Sequence, residues 1–216
     1  MKKILVIFLL IQAIISNAQI PSDIEIIEIK YMPTWTDSIV QEMDKINQNN
    51  IVRLSSLDSA AKHHAQYLII HYLNTDSISH FESSDYPNFI KKISPSDRTG
   101  FKYQTLEVAK MKTSSKSVGI SELNNNFYKN TPNDGKSLRE IFFPSYNWRN
   151  IFSSYEDSPS HIGIIKDKRS KFVGSCTVMV VYKTTRGLSR EEANRNMVRL
   201  KISYFNVTDF IENPDK

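Results

Sequence analysis

The stretch Tyr155-Glu156-Asp157-Ser158-Pro159-Ser160-His161, followed by Val173-Gly174 at the head of an apolar run, organises the reading of this chain. Serine suits the N-cap of a helix, and proline suits the first helical position, where its fixed φ fits and its missing donor would be unpaired anyway. Ser158-Pro159 therefore predicts a helix start. His161 then falls in the first turn, where the positive end of the helix dipole disfavours an added proton on its ring. Upstream, after Pro144, Trp148, Ile151, Phe152 and Tyr155 recur at i, i+3, i+4 and i+7, the period of an amphipathic helix. Downstream, Phe172 to Lys183 and Met197 to Asn206 are rich in Val, Tyr, Ile and Phe and read as two long strands. Ser189 and Glu192 predict a capping box for a short helix between them. The basic cluster Lys166 to Lys171, broken by Asp167 and Ser170, reads as a hairpin turn.

Working back toward the N-terminus, Ile24, Ile26 or Ile27, and Ile29 alternate with Asp23, Glu25, Glu28 and Lys30, which suggests a half-buried strand or extended arm ended by Pro33. Ile39, Val40, Met43 and Ile46 predict a helix from Thr36 to about Asn47. A second helix is expected between Asp58 and Asn74, with Ala61, His64, Leu68, His71 and Tyr72 on one face and Ala60, Ala65 and Ile69 widening it. Ser77 to Gly100 reads as loop with one helical turn around Tyr86 to Ile93, and Tyr103 to Val108 as a strand. Met111 to Lys136 is polar and too long for a minimal connection; it is expected to border a site or to be mobile. No internal repeat or second core is visible, so one domain is the economical reading.

Met1, Lys2 and Lys3 precede an apolar run from Ile4 to Ile15, and Ser16-Asn17-Ala18 sets small residues three and one before a cut ahead of Gln19. This predicts a signal peptide over residues 1–18, an N-terminal arm over 19–35 and a domain over 36–210. The mature chain is expected to be soluble and extracytoplasmic, secreted or periplasmic. No other stretch approaches the roughly 20 apolar residues of a transmembrane helix. The single cysteine, Cys176, lies far from the cut, so neither a lipoprotein anchor nor an internal disulfide is expected, and Cys176 reads as a small buried hydrophobe.

Composition excludes several classes. Of 216 residues, 40% are hydrophobic and 24% charged, which is ordinary for a globular chain. The net charge of +5 falls to +3 once Lys2 and Lys3 leave with the leader, and no concentrated basic face points to nucleic acid. The six glycines are at least eleven positions apart, so glycine-rich phosphate cradles are absent. Gly135-Lys136-Ser137 mimics the end of a P-loop, yet Asn130 stands where its first glycine belongs. Neither Gly-x-Ser-x-Gly nor His-Glu-x-x-His occurs.

Five histidines remain to be placed. His63, His64 and His71 lie on the second helix and read as structural, hydrogen-bonded rings. His80 and His161 lie among turn residues, where functional groups are often carried. The order Leu57-Asp58, His64-Ala65, His80, Asp97-Arg98-Thr99-Gly100, Glu107, Ser158-Pro159-Ser160-His161 and Val173-Gly174 resembles the CAP superfamily of cysteine-rich secretory, antigen-five and pathogenesis-related proteins, in its bacterial SCP-like form without disulfides. The similarity covers roughly Thr36 to Val207. It implies an α+β fold, a three-layer α-β-α sandwich with a central antiparallel sheet and a cleft lined by two histidines and acids. By the same resemblance His80 and His161 are the cleft histidines and Glu107 is the acid of the family's Gly-Glu-Asn motif, here flanked by Leu106 and Val108. Ser158 occupies the place of the second acid, with Tyr155 in that of the preceding Trp. Asp97 and Arg98 read as a structural loop pair, and the sequon Asn206-Val207-Thr208 has no expected meaning in a bacterial-looking chain.

Two neutral imidazoles and a carboxylate form a known ligand set for Zn²⁺ with an open position, so His80, Glu107 and His161 are expected to be able to hold Zn²⁺ or another divalent cation. The leading functional expectation is a non-catalytic secreted binding module for a lipid, sterol, glycan or protein partner. The alternative is a metal-assisted hydrolase in which Glu107 serves as base or ligand. Glu107 cannot easily be both, and Ser158 removes the obvious second base. A purely structural secreted protein with relic site residues is a third reading.

Overall fold

The computed structural model describes residues 20–84, 86, 115–128, 147–194 and 198–212. The expected leader, the strand Tyr103–Val108, the Asp97-Arg98 pair and the Gly135-Lys136-Ser137 turn lie outside the described residues, as does the expected helical turn beyond Tyr86.

Strand β1 spans Ile24–Tyr31 and helix α1 spans Pro33–Asn47. The helix opens three residues earlier than expected because Pro33, read as a stop for the strand, serves as its first helical residue. Ile39, Val40 and Met43 are buried, and Gln48 closes the helix in the left-handed region, a role more often given to glycine. A two-residue strand β2, Val52–Arg53, leads into α2, Ser55–Thr75. Then follow β3, Ser115–Tyr128; α3, Trp148–Glu156; α4, Pro159–Lys166; β4, Ser170–Thr184; α5, Arg190–Asn194; and β5, Arg199–Glu212.

The strands form one sheet in the order β1-β4-β5-β3, with β2 also pairing with β4. All main pairings are antiparallel, whereas β2 runs parallel to β4 at Phe172 and Val173, so the sheet is mixed rather than purely antiparallel. With its helices the class is α+β. The N-terminal arm contributes β1, which lies along β4 from Ile24 opposite Thr184 to Tyr31 opposite Val178. A bulge between Ile26 and Glu28 re-phases the alternation: Ile24, Ile26, Ile29 and Tyr31 meet the core, and Ile27 is left exposed.

Nearly every side chain of β4 is buried, because helices cover both faces of the sheet. Cys176, Val178, Val180 and Tyr182, with Phe205 and Val207 of β5, meet Ala61, Ala65, Leu68, Ile69 and Tyr72 of α2. On the opposite face Val173, Met179 and Val181, with Leu200, Ile202, Tyr204 and Phe210, meet Ile39 and Met43 of α1, Ile151, Phe152 and Tyr155 of α3, and Ile165 of α4. Each such side chain contributes about 1.5–3 kcal/mol by leaving water. The period-2 pattern of the strands and the 3.6-residue pattern of the helices thus interlock on both faces.

Gly174 decides how closely α2 approaches. A Cβ there would stand 2.1 Å from the carbonyl carbon of Leu57 and 2.5 Å from the Asp58 nitrogen, so only glycine lets the start of α2 rest on the β4 backbone. Asp58 then accepts the Ser175 N–H at 2.9 Å and pairs with Arg53, which also meets Asp37.

Three expectations are corrected. The polar stretch Met111 to Lys136, expected to be loop, contains the 14-residue strand β3, whose backbone pairs along β5 from Ser115 opposite Ile211 to Tyr128 opposite Arg199. Backbone groups of β5 need partners whatever the side chains opposite them are, and that demand outweighs the weak strand propensity of Asn and Ser. The basic cluster Lys166 to Lys171 is a helix-to-strand turn, not a hairpin: Lys166 ends α4, Ser170 begins β4, and Asn47 ties the turn down by donating to the carbonyls of Ile165 and Asp167. The second strand of the terminal pair runs on to Glu212 rather than ending near Asn206, and Asn206 itself is fully buried. Its amide donates to Thr177 Oγ1 at 2.8 Å, so the sequon lies inside the folded core.

Candidate functional site

Residue 80 is carried by a turn that leaves the C-terminal end of α2. Asp76 ends that helix in the left-handed conformation. Ser79 then folds the chain over on itself: its Oγ accepts the Phe81 N–H at 3.1 Å and donates to the Phe81 carbonyl at 2.9 Å. His80 stands at the apex of this turn and is exposed.

The base of the turn is held by α2. His64, fully buried, has Nε2 3.0 Å from the Ser79 carbonyl and Nδ1 3.3 Å from Glu82 Oε1. His63 Nδ1 reaches the same Glu82 oxygen at 3.1 Å. His64 thus bridges a backbone carbonyl and the Glu82 carboxylate from inside the core. Burial by itself would raise the Glu82 pKa; the hydrogen bonds and charge of His63 and His64 outweigh it and hold the carboxyl down at about 2. The expectation of structural roles for these two histidines thus acquires a specific partner, and Glu82 is a residue the sequence reading missed. The sequence signal was slight: a Glu two residues beyond His80 has no periodic relation to His63 and His64.

His161 enters from the other side of the chain. It lies in the first turn of α4, half-buried. Pro159 takes the first helical position as expected. Ser158 occupies the N-cap with extended backbone, but its hydroxyl makes no capping bond; it meets Ser160 Oγ at 3.1 Å, a correction to the expected side-chain cap. Burial lowers the His161 pKa below its ordinary value, which favours the neutral ring. Tyr155, at the end of α3, meets the His161 ring edge-on with centroids 5.8 Å apart.

The rings of His80 and His161 are 6.1 Å apart, centroid to centroid, tilted by 60°. Residues 81 positions apart in the chain therefore share one place, with Tyr155 against His161 and Ser158 one turn away at the same helix start. Glu107 lies outside the described residues. Among the described residues no group of three or more His, Cys, Asp or Glu side chains is arranged to hold a metal ion. Also among them, no helix is long and apolar enough to cross a membrane.

No family model matches the chain, and no curated protein matches it. Among solved structures it is similar to an outer surface protein of Borrelia burgdorferi, at 13% identity and a TM-score of 0.30, over 83% of this chain and 98% of that one.

Proposed function

We propose that this chain is an extracytoplasmic, CAP-type binding module whose cleft is built around His80 and His161 and whose partner is a lipid, glycan or protein. The observation that carries the reading is the meeting of those two rings at 6.1 Å. One histidine comes from a turn and the other from the start of a helix, one exposed and one with a depressed pKa, and such pairs recur in binding and catalytic sites. Helices on both faces of the sheet accord with the α-β-α layering that the sequence resemblance implies.

A divalent ion is the group such a pair would take. Two imidazole nitrogens at about 2.1 Å from a tetrahedral Zn²⁺ set the ring centres about 5 to 5.5 Å apart, so the two rings, 6.1 Å apart, would close slightly around it. His80 and His161 would be the protein's imidazole ligands and Glu107 its acid; a bound ion would supply Lewis acidity to a ligand oxygen. Binding is favoured over metal-assisted hydrolysis by Ser158. A hydrolase needs a base besides a ligating Glu107, and at the place of the second acid this chain has a hydroxyl engaged with Ser160.

Calorimetric titration of the purified mature protein with Zn²⁺ tests the reading, beside His80→Ala and His161→Ala. Loss of at least about tenfold in affinity in each variant, with folding retained, is expected, since each removes one ligand. Equal affinity in all three proteins would sink the ion site. Turnover of peptides or esters that vanishes in Glu107→Gln would replace the binding reading by the hydrolytic one.

A further inference from the structure

We infer that Glu82, acting through His64, is a positioning residue that sets His80 opposite His161. The inference rests on the reading of that ring pair as a site, and it adds the device that orients it. One buried imidazole grips the chain on both sides of residue 80: His64 Nε2 holds the carbonyl of Ser79, and His64 Nδ1 holds the side chain of Glu82. The two anchor points flank His80 by one residue and by two. Between them the Ser79 hydroxyl closes the turn onto both backbone polar groups of Phe81, leaving the segment little freedom to rotate.

The anchor is itself fixed. His64 is wholly buried on α2 and stacks on Tyr67 with centroids 5.6 Å apart, and Tyr67 is buried in the core against the sheet. His63 supplies a second hydrogen bond to the same Glu82 oxygen, so the carboxylate is held from two successive helical positions. The side chains of Glu82 and His64 are both 0% exposed, which removes competition from water for these bonds. A turn held only by surface contacts would let His80 swing; this one transmits the rigidity of α2 to an exposed ring.

The test uses the mature protein labelled on histidine and tyrosine. Ring-proton Overhauser contacts are read for His80 with His161, and for Tyr155 with His161 as an internal reference that Glu82 does not touch. Glu82→Leu fills the space without an acceptor and is expected to abolish the His80–His161 contact while the Tyr155–His161 contact stays. Glu82→Gln keeps an oxygen for the imidazoles and is expected to restore at least half of the lost intensity. If Glu82→Leu does not fold, His64→Gln, which can reach only one of the two anchor points, is expected to show the same selective loss. A His80–His161 contact of unchanged intensity in a folded Glu82→Leu or His64→Gln protein overturns the inference. Zn²⁺ titration of the same variants separates this from the preceding reading: a wild-type protein that shows the ring contact, loses it in Glu82→Leu and binds no Zn²⁺ supports the positioning role while removing the ion.

Discussion

Tyr155 joins the two halves of the molecule's chemistry: its ring stands perpendicular to that of His161, while its hydroxyl donates to Asn206 inside the sheet. Asn206 in turn donates to Thr177 and accepts from Thr208, and Ser175 meets Thr208 at 2.8 Å, so a closed polar network fills the sheet face beneath α3. Burial drives the Tyr155 pKa far above that of an exposed phenol, so the group is a neutral donor.

Removing only that donor should therefore cost stability and leave the ring contact in place. Tyr155→Phe is expected to lower unfolding stability by about 1–3 kcal/mol, because Asn206 loses a buried partner. Urea denaturation reads the loss, and the ring-proton contact between residue 155 and His161 should persist, since the aromatic ring is retained. Unchanged stability would show that the network does not need the phenol.

Gly174→Ala tests the contact between α2 and β4. The added carbon would collide with backbone atoms of Leu57 and Asp58, which cannot rotate away as a side-chain tip can. Destabilisation of about 3 kcal/mol or more is expected from denaturant midpoints, at the upper end of overpacking costs. A loss below about 0.5 kcal/mol would mean that the helix start shifts freely.

Glu82 should shape the response to acid. Its carboxyl has a folded-state pKa of about 2 against an ordinary 4.5, so the unfolded chain binds the proton more readily than the folded one. The stabilisation is complete above about pH 5 and is lost as the pH falls toward 2, amounting to something on the order of 3 kcal/mol. Glu82→Gln should accordingly be less stable than wild type at neutral pH, and the difference should shrink steadily between about pH 5 and pH 2. Parallel stability curves for the two proteins across that range would refute it.

Cys176 should be inert while the chain is folded. It is 8% exposed on the sheet face under α2, and burial pushes its thiol pKa up to about 12, so almost no thiolate forms at neutral pH. Alkylation at pH 8 is expected to be at least about 100-fold slower in native protein than in urea-unfolded protein. Rapid native labelling would mean that β4 opens locally.

How much of this was legible beforehand varies from element to element. Trp148, Ile151, Phe152 and Tyr155 announce α3 because helical periodicity is written within eight consecutive residues, and three of the four are buried as that face requires. The strand signal in Phe172 to Lys183 was legible for a similar reason. Glu82 was not: its partners sit 18 and 19 positions away, beyond any periodic signal, and an isolated Glu in a polar loop ordinarily stays in water. Likewise β3 was concealed by its Asn- and Ser-rich composition.

By itself, the amino-acid sequence determined the amphipathic helices and the two long C-terminal strands, the helix start at Pro159, and that a single cysteine is held in the core without a disulfide partner. Only the tertiary structure decided that β1 joins the sheet, that β3 pairs with β5 at its other end, and that Glu82 is drawn onto His63 and His64. The reason is physical: periodicity and capping act over one or two turns of chain, whereas a sheet edge needing hydrogen bonds, or a buried imidazole needing an acceptor, is satisfied by whichever distant segment the packed core brings alongside.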